Sequence, residues 1–147
     1  MPEKIAAILN RKGRSVWSIS PEATVYEALS LMAEKDIGAL AVISEGRLVG
    51  MFSERDYARK VILLGRSSKE VRVSEIMTAQ VVTVGPDHTV DECMVMMTTC
   101  RVRHLPVLED GRVTGMISIG DLVNAIISDQ EHTIKALSAY ISGGYPA

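Results

Sequence analysis

Two short runs in the chain place a hydroxyl and a carboxylate at one spacing. Ser53-Glu54-Arg55-Asp56 and Ser118-Ile119-Gly120-Asp121 both read Ser-x-x-Asp, and each follows a glycine and a hydrophobic pair, Gly50-Met51-Phe52 and Gly115-Met116-Ile117. A strand that turns into a helix at such a run meets unpaired helix N–H groups. One reading is structural: the serine caps the helix and the aspartate sits in its first turn. The other is a ligand site. A short carboxylate accepts hydrogen bonds from two neighbouring hydroxyls, the pattern of a ribose diol. Both readings can hold together, with the serine capping and the aspartate turned to a ligand. Their recurrence at equal positions strengthens the second.

A basic cluster, Arg101-Val102-Arg103-His104, precedes a hydrophobic run. Within a strand, successive side chains alternate faces. Just before one, the rule relaxes. An arginine fork suits phosphate oxygens, and histidine adds a donor. The alternative is a set of solvated loop charges. A histidine beside a phosphate would be protonated near pH 7, so the sequence predicts affinity that falls as pH rises. Arg55, beside Asp56, either reaches a phosphate or stays in solvent. Trp17 either stacks on a base or packs in the core. Arg14 and Lys69 are loop cations without a target.

These residues sit inside an internal duplication. A shift of 65 residues lays Val16–Ile62 on Val81–Ile127 without a gap, with fifteen of 47 positions identical. Each copy reads as strand, helix, strand, strand, helix. The first strands are Val16–Ile19 and Val81–Val84. Thr24-x-x-Glu27 and Thr89-x-x-Glu92 predict capping boxes. The helices that follow carry an apolar stripe at helical spacing: Val25, Ala28, Leu29 and Met32, then Val90, Cys93, Met94 and Met97. Glu45-Gly46 and Asp110-Gly111 are hairpin turns between paired apolar runs. The two copies are expected to cover each other's apolar faces about a pseudo-twofold axis.

The copies differ where the basic cluster falls. Asp36-Ile37-Gly38-Ala39 stands in the first copy against Arg101-Val102-Arg103-His104 in the second, and Ala41 against Pro106. Two clefts built from them are therefore unequal, one rich in phosphate contacts and one roomier. Either they take different ligands, with room for a dinucleotide in one, or one is empty.

The divisions that follow are 1–15 (a short amphipathic helix and the basic stretch Arg11–Arg14), 16–64 (first repeat), 65–80 (a connector with one helical turn near Glu75–Met77), 81–128 (second repeat), and 129–147 (a helix and tail ending at Gly143-Gly144). The chain has 147 residues and a net charge of -2, without the basic excess a general nucleic-acid binder needs. Arg11–Arg14 lacks aromatic interleaving and reads as a solvated linker. No apolar run is long enough to span a bilayer, and the N-terminus does not read as a signal peptide. Cys93 and Cys100 lie seven apart on one helix, a rise of about 10 Å that forbids a disulfide. Two reduced thiols predict a cytoplasmic protein. The histidines show no zinc spacing, so no metal is expected. No GxSxG, phosphate loop or GxGxxG occurs, and no catalytic residue is assigned.

The duplicated β-α-β-β-α unit, the Gly50–Asp56 and Gly115–Asp121 runs and the segment Arg101–Val107 resemble the cystathionine-β-synthase (CBS) domain, found in tandem as a Bateman module. The resemblance covers both copies. It implies an α/β (α+β) fold with pseudo-twofold symmetry and short terminal helices, similar to a stand-alone bacterial type. It implies a non-catalytic regulatory module that binds an adenine nucleotide (AMP, ADP, ATP or NAD(H)) in clefts between the copies and signals through a conformational or dimer-interface change. By the same resemblance, Asp56 and Asp121 hold ribose, and Ser53, Arg55 and Ser118 attend the nucleotide at the helix N-termini. Arg101, Arg103 and His104 hold phosphate, while Ile37, Gly38 and Val102 face adenine. It also implies a homodimer and an unidentified regulated protein as partners, with no nucleic acid and no membrane. The rival reading is a structural or partner-binding dimerisation module without a nucleotide. There, the apolar stripes of the N-terminal helix and of Ile134–Ile141 would cover a dimer interface.

Overall fold

The computed structural model describes residues 3–141. The elements run α1 (Ile5–Lys12), β1 (Ser18–Ile19), α2 (Val25–Lys35), β2 (Ala39–Ser44), β3 (Arg47–Ser53), α3 (Glu54–Tyr57), α4 (Val73–Ile76), α5 (Val90–Cys100), β4 (His104–Glu109), β5 (Arg112–Ser118) and α6 (Ile119–Ile141). A π-helical turn, Ala58–Ile62, continues α3. The architecture is mixed α+β, with two small sheets.

The caps start the helices where the sequence predicts. Thr24 Oγ1 accepts from the Glu27 amide, and Thr89 Oγ1 from the Glu92 amide. Only the second copy closes the box: the Thr89 amide donates to Glu92, whereas the Glu27 carboxylate remains exposed. Both helices end on a left-handed residue, Asp36 and Arg101. Each hairpin turns on two residues with positive φ, Glu45-Gly46 and Asp110-Gly111. That conformation matches strand twist and favours glycine in the second place.

Both leading strands, expected over Val16–Ile19 and Val81–Val84, are shorter in the structure, the second more so. β1 runs parallel to β2 through Ser18↔Ala41 and Ile19↔Val42. In the second copy only the bridge Val84↔Val107 forms. The cause is Pro106. Its counterpart Ala41 donates its amide to the Trp17 carbonyl at 3.3 Å, a bond proline cannot make.

The apolar faces are covered differently from the expectation. There are two cores, each completed by the helix that precedes the other repeat. Ile5, Ile8 and Leu9 of α1 pack among Val90, Cys93, Met97, Leu105 and Ile117 of the second repeat. Val73 and Ile76 of α4 pack among Val25, Met32, Leu40 and Phe52 of the first. Backbone bonds repeat the crossing: Val90 N–H donates to Glu3, and Val25 N–H to Val71. The α1 stripe is therefore buried within the chain and does not serve as a dimer face. Asp129–Ile141 continues α6 as one helix. Its side chains Ile134, Leu137 and Ile141 are exposed. The sequence feature Gly143-Gly144 lies outside the described residues.

Candidate functional site

Both Ser-x-x-Asp runs fold as reciprocal caps at strand-to-helix junctions. Asp56 is the buried polar residue of the core, 8% exposed. Its Oδ2 accepts from the Ser53 amide at 3.0 Å and the Ser53 hydroxyl at 3.1 Å. Its Oδ1 meets the Thr78 hydroxyl at 3.3 Å and the Lys60 ammonium at 3.2 Å. Both oxygens are engaged inside the protein.

Asp121 differs. Its Oδ2 accepts from the Ser118 amide at 2.8 Å and from Lys12 Nζ at 2.7 Å. Its Oδ1 has no hydrogen-bond partner among the described residues. Burial pushes the Asp121 carboxyl up. The Lys12 ammonium, with the Ser118 amide and hydroxyl, outweighs that and holds it below its ordinary value. The group is a carboxylate at neutral pH with one oxygen to offer.

Next to this aspartate lies a cavity of about 400 Å³. Asp36, Ile37, Gly38 and Ala39 line it from the first repeat, and His104, Met116 and Ser118 from the second. Lys12, Gly13, Ser15 and Trp17 complete it. The two copies meet closely here: a Cβ on Gly38 would stand 3.7 Å from His104 Cε1 and 3.7 Å from Glu54 Oε1. Such a cavity has the size of a small-ligand site. A larger groove, about 690 Å³, lies at the hairpin turns between Arg47 and Arg112. It holds neither Ser-x-x-Asp run.

The basic cluster is divided by the strand start. His104 opens β4 opposite Ser118 and lines the cavity. Burial pushes its pKa below the usual 6.5; Asp121 raises it, while Lys12 and Arg103 add to the lowering. Burial thus favours the neutral ring near pH 7. Arg101 and Arg103 are exposed and are not among the residues lining this cavity. The Arg101 carbonyl accepts from Arg55 Nη1 at 3.1 Å, which ties the two repeats together. Val102 packs against the second core. Ile37 and Gly38 line the cavity. Ser53, Arg55 and Asp56 gather on the other side of the pseudo-twofold, with Arg101.

Trp17 is not in the core. It is 42% exposed, lines the cavity, and lies under Lys35 Nζ at 4.2 Å. Lys12 was hidden in a stretch that reads as a solvated linker. The signal for it was positional: it precedes the first repeat as Thr78 precedes the second, and each reaches the aspartate of the opposite repeat. Lys60, four residues after Asp56, was legible as a helical ion pair. Arg14 bonds Asn10 at 3.0 Å, and Lys69 lies over Tyr26. Among the described residues, no His/Cys/Asp/Glu cluster could hold a metal, and no helix is long and apolar enough to cross a membrane.

A crosswise duplicated β-α-β-β-α pair with a Ser-x-x-Asp cap at each junction makes a tandem module of two matched halves. The family model for the CBS domain matches residues 8–62 and 73–128, and the chain belongs to that family as a tandem pair. It is 40% identical over 151 residues to the mitochondrial CBS domain-containing protein CBSX3 of Arabidopsis thaliana, covering 96% of this chain and 73% of the relative. A solved CBS-domain protein from Burkholderia ambifaria is 52% identical, with a TM-score of 0.84 over 86% of this chain and 96% of that one. The hexameric CBS-CP12 protein of bloom-forming cyanobacteria is 30% identical, with a TM-score of 0.75 over 84% of this chain and 67% of that one.

Proposed function

We propose that this protein is a non-catalytic sensor that binds an adenine nucleotide (AMP, ADP, ATP or an NAD(H)-type ligand) in the cavity beside Asp121. The observation that carries the reading is the free Oδ1 of Asp121 next to a cavity of about 400 Å³ lined from both repeats. A ribose hydroxyl donates to that oxygen. Adenine lies against Ile37 and Gly38, with Trp17 at the rim, and the phosphate meets His104. The ligand thereby bridges the repeats and favours one relative orientation over others. By the pseudo-twofold, a second cleft would draw on Asp56, Ser53, Arg55, Val102, Arg101 and Arg103. Its ribose group is released only when Lys60 and Thr78 let go of Asp56, so it fills at higher ligand concentration.

The output of the sensor is an interface. The exposed apolar side chains of α6, with Leu63 and Leu64, suit a second copy of the chain or a regulated partner protein. The hexameric CBS-CP12 relative supports assembly as the mode of action. The free thiols Cys93 and Cys100 suit a reducing, cytoplasmic compartment.

Calorimetric titration with AMP, ADP, ATP, NAD(H) and S-adenosylmethionine tests the reading. Micromolar binding, about -8 kcal/mol, is expected for at least one of the adenine nucleotides. Asp121→Ala should abolish the tighter event and Asp56→Ala only a weaker one. No heat with any of them would instead favour a dimerisation module without a nucleotide. The internal saturation of Asp56 is what favours that second reading.

A further inference from the structure

Lys12 holds a position that neither repeat's own motif supplies. Its ammonium donates to Asp121 Oδ2 at 2.7 Å and to the Met116 carbonyl at 2.8 Å. Both bonds span more than a hundred residues of sequence. An ammonium has three N–H donors, so one is uncommitted, on a side chain that lines the cavity. Its stem belongs to the last turn of α1, whose Leu9 and Ile5 are fully buried in the second core. The cation is therefore held in place before any ligand arrives.

The charges around the cavity make that cation decisive. Asp36 lines it, and Asp121 is hydrogen-bonded to two of its lining residues, Lys12 and Ser118. Glu54 lies near Gly38 but lines a neighbouring cavity. Burial disfavours the cationic form of His104. Arg101, Arg103 and Arg14 do not line the cavity, and Arg14 is engaged by Asn10 and Glu109. Lys12 is thus the cation among the lining residues. Without it, the permanent charges at the cavity would be those of Asp36 and the neighbouring Asp121, and a desolvated like-charge contact with an anionic ligand is strongly unfavourable.

We propose that Lys12 is the specificity-determining residue of the Asp121 cleft, selecting phosphorylated ligands over the corresponding nucleosides. This rests on the cleft binding an adenine nucleotide as set out above. Lys12 directs its remaining donor to the phosphate, while Asp121 Oδ1 is left to the ribose. Selection comes from the segment before the first repeat, while the sugar is read by the second.

The test compares AMP with adenosine on the full chain by calorimetry, for the natural protein, Lys12→Met and Lys12→Arg. The natural protein should prefer AMP by tenfold or more. Lys12→Met should collapse that preference, weakening AMP about tenfold or more and leaving adenosine within about threefold. Lys12→Arg should keep most of it. Should Lys12→Met fail to fold, lysine labelled with ¹³C at Cε gives the answer in the natural protein. The Lys12 signal, identified by its loss in Lys12→Arg, should shift with AMP and hold with adenosine. An unchanged AMP-to-adenosine ratio in Lys12→Met, equal weakening of both ligands, or equal shifts with both overturns the role of Lys12 and leaves the cleft standing. Failure of the natural protein to bind AMP overturns this role, and failure to bind any of AMP, ADP, ATP or NAD(H) overturns the cleft with it.

Discussion

His104 faces Asp121, Lys12 and Arg103, and burial dominates their combined effect, favouring the neutral ring. The folded state therefore binds a proton less readily than the unfolded chain, whose histidine titrates near 6.5. Above that pH neither state holds the proton and His104 leaves stability unchanged. As pH falls through 6.5, the unfolded state takes up a proton that the folded state resists, and stability declines. Urea unfolding at pH 7.5 and 5.5 should show the loss, and His104→Asn should flatten it. An equal slope in the variant would assign the loss to other groups. Asp121 has the opposite charge logic but the same direction: its lowered pKa contributes stability above 3.8 that is lost only in stronger acid. At this scale the sequence grouped the candidate residues along the repeat but did not show how their surroundings divide them. Arg103 and His104 are neighbours in the chain. Yet β4 begins at His104, so one enters the cavity and the other stays in solvent.

At the scale of the elements, the crossing of α1 and α4 decides the packing. Gly115 makes α1 fit: a Cβ there would stand 2.7 Å from Leu9 Cδ2 and 2.8 Å from Cδ1. Leu9 is fully buried and cannot swing away. Gly115→Ala should therefore destabilise the fold by about 1–3 kcal/mol. Leu9→Ala should cost about 2–5 kcal/mol by leaving a cavity. Denaturant unfolding of both, and of the pair, checks this. The two losses should not add, because the smaller side chain at position 9 makes room for the new methyl group. Additive losses would mean the two residues do not meet. The capping residues, hairpin turns and helix stripes were legible, because each depends on neighbours within a turn or two. Which repeat α1 covers was not legible. An amphipathic helix states that it has an apolar face and does not name its partner.

For the whole molecule, the pseudo-twofold symmetry is imperfect, and the imperfections fall around the two Ser-x-x-Asp junctions. One aspartate is closed by Lys60 and Thr78, the other is open beside a cavity. One copy carries a parallel two-residue strand and the other a single bridge. Beyond the second repeat, α6 continues as a helix whose Ile134 and Leu137 are 61% and 57% exposed. A second copy packing along that face would bury them. Ile134→Glu with Leu137→Glu should shift the protein to monomers in sedimentation velocity while its unfolding midpoint, read at low concentration, stays near that of the natural protein. A monomer before substitution, or a dimer that survives it, would remove α6 from the assembly.

The sequence by itself determined the duplication, the order of elements, the caps and turns, and the two carboxylates set at matching junctions. These follow from local periodicity and from residue types whose backbone preferences act over a few positions. Only the tertiary structure decided that Lys12 meets Asp121, that Asp56 is sealed, and that each core is finished by a helix from before the other repeat. Those contacts join residues as many as 109 positions apart. Their geometry is fixed by how two nearly equal halves share the segments between them, a property that neither copy carries alone.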